Sequence, residues 1–187
     1  MDYLRWGVLG ASKFALEHLT PAIQLAKNNR FKALASGSKE KAAAFVELEP
    51  EVELYESYDE LLADDGVDAV YIPLPNTMHV DWTIRAVKSG KHVLCEKPIA
   101  MRAKEINELI KLRDDTGLLV AEAYMIVHHP QWQKAREIVQ SDILGDLIQV
   151  DSIFSYNNQE DLENIRNSSK MGGGGLPDIG VYTLGSV

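Results

Sequence analysis

The sequence predicts an α/β protein: a doubly wound parallel sheet with helices on both faces, followed by the start of a second, α+β unit. Three observations predict it. Short apolar runs alternate with segments of helical spacing from Leu4 to about Ala121, the pattern of repeated strand-helix-strand units. The runs Val8-Leu9, Ala69-Val70-Tyr71-Ile72 and Val93-Leu94 are apolar on both sides, as strands covered on both faces require. After about Glu122 the character changes, and one further strand with two helical stretches is too little to close a second core. The expected division is therefore 1–122 and 123–187, with the second domain incomplete.

Each element has a local reason. Leu4 to Leu9 reads as a buried strand closed by Gly10. Ser12 to Asn28 has helical spacing, with Ala15, Leu19, Ala22, Ile23 and Ala26 on one face, and Pro21 predicts a kink or a two-part helix. Phe31 to Ser36 is a strand and Lys39 to Leu48 a helix. Ser57-Tyr58-Asp59-Glu60 has the form of a capping box opening a short helix that ends near Gly66. Strand Val67 to Ile72 is followed by Pro73-Leu74-Pro75-Asn76 and a helix from Met78 to Ser89, stopped by Gly90. Strand Val93 to Glu96, a helix from about Arg102 to Asp115, and strand Leu118 to Ala121 complete the alternation. Beyond it, His128-His129-Pro130 opens a helix to about Gln140, and Leu147 to Tyr156 alternates like a strand with one wet face. Asn157 to Met171 reads as a polar, mobile loop, and Gly172 to Gly175 leads into a helix over Leu176 to Leu184.

Composition narrows the class of function. The 187 residues are 45% hydrophobic and 25% charged, an ordinary globular balance. Nineteen basic against 28 acidic side chains leave a net charge of -9, which argues against a nucleic-acid partner, since phosphate tracking needs a basic stripe. No segment approaches ~20 uninterrupted apolar residues, so no membrane span is expected. The start of the chain lacks a secretory apolar region, and a single cysteine fits a reducing cytoplasm. His128 and His129 lack a third ligand at metal spacing, so no metal site is expected.

The turn Gly10-Ala11-Ser12-Lys13-Phe14-Ala15 stands between a first strand and a first helix, where a dinucleotide pyrophosphate meets a helix N-terminus. Gly10 supplies the tight turn and Ala15 the close packing, while Ser12 stands where the second glycine is usual. A structural tight turn is the plain alternative. At the end of the second strand, NAD enzymes commonly place an acid for the ribose hydroxyls. Here Ser36-Gly37-Ser38-Lys39-Glu40-Lys41 offers hydroxyls, a flexible glycine and two lysines, a set suited to a 2′-phosphate. NADP is therefore preferred, with NAD possible; the competing reading is that Lys39 and Lys41 are merely solvated. Pro73, Pro75 and Asn76 follow a strand end where ligands usually lie, although Asn76 also suits an Asx turn, and His79 is read as a helix-face residue near this crevice and a candidate cofactor contact.

Hydride transfer from an alcohol also requires a base for the hydroxyl proton. Tyrosine, with a free pKa of about 10, is a poor base unless an ammonium favours its ionised form. Lys97, in Glu96-Lys97-Pro98 at the end of an apolar run, is a candidate for that ammonium; Glu96 either anchors it or makes a structural salt bridge, and both are also candidate cofactor contacts. Asp178 and Tyr182 are four apart and share one helical face. Tyr124, just after the sixth strand, is a candidate to line the substrate side of the cleft with Lys97, Asp178 and Tyr182.

The stretches Trp6-Gly7-Val8-Leu9-Gly10-Ala11-Ser12-Lys13, Ser36 to Lys41, Ile72-Pro73-Leu74-Pro75-Asn76, His92 to Pro98 and Gly173 to Tyr182 resemble the Gfo/Idh/MocA oxidoreductases, named for glucose-fructose oxidoreductase and inositol dehydrogenase. The Tyr182 pattern is similar to the branch with glucose-fructose oxidoreductase, NADP-dependent D-xylose dehydrogenases and dihydrodiol dehydrogenases. The resemblance implies a Rossmann domain followed by a domain on an open, mostly antiparallel sheet through which full-length members form homodimers. It also implies that Lys97, Asp178 and Tyr182 work together, with Tyr182 as acid/base. The function expected is NADP-dependent oxidoreduction of an aldose, a related carbohydrate or a trans-dihydrodiol. The alternative is a truncated, catalytically inactive nucleotide-binding or regulatory module.

Overall fold

The strand β1 (Leu4–Leu9) lies inside a six-stranded sheet ordered β3-β2-β1-β4-β5-β6. The other strands are β2 (Asn29–Ala35), β3 (Glu53–Tyr55), β4 (Ala69–Ile72), β5 (His92–Glu96) and β6 (Val120–Ala123). The computed structural model describes residues 3–157, 159–161 and 164–185, which fall into two units that part after Glu122. The pairings β1–β2, β1–β4, β2–β3 and β4–β5 are parallel, and parallel neighbours need crossover helices. Those helices are α1 (Thr20–Leu25), α2 (Lys39–Leu48), α3 (Tyr58–Ala63), α4 (His79–Lys88) and α5 (Ala103–Thr116). The strand order reverses between β1 and β4. Ligand crevices of open α/β sheets form outside the carboxyl ends of the strands at such a point.

Burial follows the apolar runs. All four residues of β4 are buried, and Leu9, Leu61, Val70, Ile72, Val87 and Cys95 belong to one core cluster. Cys95 is a packed hydrophobe whose thiol is pushed up by burial, as the sequence suggests. At the opposite edge from the crevice, Arg5 forks onto Asp68, with Nε to Oδ2 at 2.8 Å and Nη2 to Oδ1 at 2.7 Å. The hydrogen-bonded guanidinium holds that carboxyl below the usual range.

Several boundaries differ from the sequence reading, each for a physical reason. The first helix ends at Leu25 rather than Asn28, and Pro21 is preceded by a π turn over Ala15–Leu19, where the Thr20 N–H donates to the Ala15 carbonyl. Proline brings no N–H to that ladder, and the widened turn accommodates the loss. The strand β3 was not anticipated: three residues are too few for periodicity, and Ala33 to Ala35 supply its register. The last strand of the sheet begins at Val120, two residues late, after the left-handed Gly117 has capped α5.

In the second unit, α6 (Pro130–Gln140) begins where expected, with His129 Nδ1 accepting the Gln131 N–H at 3.2 Å. A π turn over Leu176–Gly180 then leads into α7 (Val181–Leu184), within the helix expected there. The expected strand Leu147 to Tyr156 is not formed. No strand of the described residues pairs with it, and a lone extended segment cannot satisfy its backbone. Ile148 and Ile153 are 90% and 93% exposed as a result. The polar stretch Asn157 to Met171 holds 3-10 turns at Ile165–Asn167 and Ser169–Met171; Asn158, Leu162 and Glu163 lie outside the described residues. No described helix is long and apolar enough to cross a membrane.

Candidate active site

The candidate cofactor residues follow four strands, β1, β2, β4 and β5, which are contiguous and parallel, so all reach the same carboxyl edge. After β1, Gly10 takes φ +103°, and a Cβ there would come within 3.0 Å of Leu74. Its N–H donates to the Ala35 carbonyl at 2.9 Å, tying this turn to the end of β2. Ser12 Oγ accepts the Ala15 N–H at 3.0 Å and so caps the helix that Lys13 and Phe14 begin, with its hydroxyl hydrogen still able to donate. Ala11 completes the turn, and Lys13 pairs with Glu17 at 3.7 Å on an exposed surface.

After β2 the backbone folds around two hydroxyls. The Ser38 N–H donates to Ser36 Oγ at 3.1 Å, and Ser38 Oγ accepts the Lys41 N–H at 3.3 Å, the N-cap of α2. A Cβ on Gly37 would meet nothing within 4 Å. Lys41 is exposed at this loop, whereas Lys39 reaches the surface carboxylate of Glu56 at 3.8 Å.

After β4, Pro73 and the half-buried Asn76 lead into a 3-10 turn over Asn76–Met78. The expectation for His79 is corrected. It is fully buried, with Nδ1 2.7 Å from the Pro98 carbonyl and Nε2 2.7 Å from the Leu74 carbonyl. Both ring nitrogens are engaged with the protein's own backbone, so the ring joins the loop carrying Asn76 to the loop carrying Lys97 and offers no atom to a ligand. After β5, Glu96 accepts the Tyr71 phenol at Oε1 (2.6 Å) and the Lys97 N–H at Oε2 (3.2 Å). Its carboxylate thus joins β4 to the loop that carries Lys97.

The second unit gathers three sequence candidates with three residues that sequence reasoning missed. Asp178, only 9% exposed, accepts the Tyr156 phenol at Oδ2 (2.6 Å) and Arg166 Nε at Oδ1 (3.0 Å). Tyr182, four residues on, stacks on Tyr124 with centroids 5.5 Å apart and 20° between planes, and tilts against Phe154 at 5.5 Å. The Tyr124 hydroxyl donates to the Val181 carbonyl at 2.8 Å, which ties the stacked ring to the start of the helix that carries Tyr182. Hydrogen bonding to Asp178 raises the Tyr156 pKa, keeping that phenol a donor. A Cβ on Gly173 would strike the carbonyls of Ile165 and Arg166, so glycine there lets the Arg166 turn lie against the run that precedes Asp178. Arg166 sits in a polar stretch with no period to mark it, and Tyr156 ends an alternating run that reads as an unrelated strand, so only the need of a buried carboxylate for partners could have signalled them.

Residues 4–124 match the oxidoreductase family with an NAD-binding Rossmann fold, GFO_IDH_MocA. The chain belongs to the Gfo/Idh/MocA family. Residues 132–187 match the GFO/IDH/MocA C-terminal domain, so both units of this family member have counterparts. The chain is 40% identical to a dTDP-3,4-didehydro-2,6-dideoxy-alpha-D-glucose 3-reductase of Streptomyces violaceoruber, over 97% of the chain and 52% of that protein. It is 37% identical to a D-xylose 1-dehydrogenase (NADP(+)) of Haloferax volcanii, over 97% and 55%. Among solved structures, a 3-ketoreductase of Actinomadura kijaniata in complex with NADP and TDP-benzene superposes with a TM-score of 0.83 at 33% identity, covering 97% of this chain and 55% of that one. The Gfo/Idh/MocA chain thus spans about half the length of the relatives it matches.

Proposed function

We propose that this protein is an NADP-dependent oxidoreductase that moves a hydride between nicotinamide and a hydroxyl or carbonyl carbon of an aldose, a related carbohydrate or a trans-dihydrodiol. The observation that carries the reading is Tyr182, supported by Tyr124 and Phe154 and standing one turn after a buried Asp178. The carboxyl edge of the first unit fits a dinucleotide: a left-handed glycine, a capped helix start, and open space at Gly37 beside two hydroxyls and Lys41. Gly10, Ala11, Ser12, Lys13 and Phe14 would face the pyrophosphate. Ser36, Gly37, Ser38 and Lys41 would hold the 2′-phosphate, and Pro73 and Asn76 the nicotinamide half.

The cofactor supplies a hydride acceptor or donor; the chain's own residues handle the proton. Tyr182 takes the hydroxyl proton as the alcohol carbon is oxidised and returns it in reduction. Lys97 is assigned the ammonium that favours the ionised phenol. Asp178, held at both oxygens, fixes the start of the helix that carries Tyr182. The relatives' names support sugar-related substrates. A cytoplasmic homodimer is part of the same proposal, supported by the single buried cysteine and by the exposed apolar side chains between Leu147 and Tyr156.

A paired titration with NADPH and NADH, read by nicotinamide fluorescence, tests the cofactor assignment. Saturable binding that favours NADPH is expected. Equal or NADH-favoured binding would remove the 2′-phosphate role from the Ser36 to Lys41 loop, and binding of neither would sink the cofactor site.

A further inference from the structure

The reading above gives Lys97 a chemical role without saying what fixes it. Tyr71 lies in β4 and is fully buried. A phenylalanine would fill an apolar strand equally well, and a buried phenol is tolerated only where its hydroxyl finds a partner. Here that partner is charged: the hydroxyl donates to Glu96 Oε1 at 2.6 Å, a charge-assisted bond. The other oxygen of the same carboxylate accepts the backbone N–H of Lys97. The register places these groups together, since Tyr71 pairs with Leu94 and Ile72 with Cys95 across β4 and β5. On the far side of Lys97, the Pro98 carbonyl is held by His79. The backbone is therefore tied at the Lys97 N–H through β4 and, one peptide unit beyond Lys97, at the Pro98 carbonyl through the helix that follows it.

We propose that Tyr71 is a positioning residue: its phenol orients the Glu96 carboxylate, which in turn fixes the backbone of Lys97 for the proton-handling step. This rests on the reading of Lys97 given under the proposed function. In Tyr71→Phe, packing is kept and only the hydroxyl is lost. Amide hydrogen exchange followed by NMR should be about tenfold faster at Lys97, with Val70 and Val93 unchanged. Turnover of D-xylose with NADP should show kcat reduced about tenfold, with KM and NADPH affinity within about twofold. Glu96→Gln, which approaches the same linkage from the partly exposed side, should give the same local signature.

Unchanged exchange at Lys97 in both variants, or unchanged kcat, overturns the assignment. So does faster exchange spread over Val70 and Val93 with a lowered Tm, because that marks a general structural role. Lys97→Ala separates the two levels of the argument. If Lys97→Ala turns over normally, the reading of Lys97 fails and Tyr71 falls with it. If Lys97→Ala is inactive while Tyr71→Phe runs at full speed, only Tyr71 is removed.

Discussion

Asp178 illustrates how a buried carboxylate is kept partnered. An unpaired charge that is 9% exposed would be costly, and the Arg166 guanidinium and the Tyr156 phenol are among the groups that offset it. The phenol carries a readable consequence. A tyrosine whose folded pKa lies above its unfolded value of about 10 adds stability that is complete below that pH and lost as pH rises through the folded value. Wild-type Tm should therefore fall more steeply above pH ~10 than the Tm of Tyr156→Phe; parallel curves would take this role from Tyr156. At Tyr182 the expected outcome is chemical: Tyr182→Phe should lower alcohol oxidation at neutral pH by about 100-fold or more. NADPH affinity should stay near the wild-type value in the same preparation, and retained turnover would exclude Tyr182 as the acid/base.

Elements with strong local grammar were readable in advance, and elements without it were not. The capping box at Ser57 and Glu60 is present as expected, with Ser57 Oγ accepting the Asp59 N–H and Glu60 accepting the Ser57 N–H. Ser57→Ala should cost about 1 kcal/mol, seen as a Tm lower by about 2–4 °C in a thermal melt; an unchanged Tm would mean that packing of Leu61 and Leu62 alone sets this helix. Lys39–Leu48 was legible to the residue because Ser38 caps it and an apolar face follows. By contrast, β3 exists only because Ala33 to Ala35 offer it an edge, and Leu147 to Tyr156 alternates correctly yet stays unpaired. Periodicity reports what a segment can bury; a strand also needs a neighbour, and that information lies elsewhere in the chain. The same limit applied at the site. Gly10, Lys97, Asp178 and Tyr182 announce themselves by motif, whereas the dependence of Glu96 on Tyr71 and of Asp178 on Arg166 is made by folding.

For the molecule as a whole, the two units differ in how fully they cover their apolar side chains. The first encloses a core from Val8 to Leu109, while the second leaves Ile143, Ile148 and Ile153 between 77% and 93% exposed. Apolar exposure of that kind marks a surface that something else covers, or one prone to association. Replacing Ile148 and Ile153 together by lysine should reduce binding of a hydrophobic dye and raise solubility, without altering NADPH affinity. Dye binding that persisted would locate the sticky surface elsewhere. Between Ala15 and Leu19, the first helix holds one residue more than an α-helix of the same rise would need. Losing a single exposed residue there, Glu17 or His18, should leave a regular helix between Gly10 and β2, with NADPH affinity and Tm unchanged. The same loss within β4, which is buried on both faces, would move its remaining side chains to the opposite face of the sheet. The molecule keeps its slack beside the nucleotide turn, where chain length can drift without disturbing the register of the sheet.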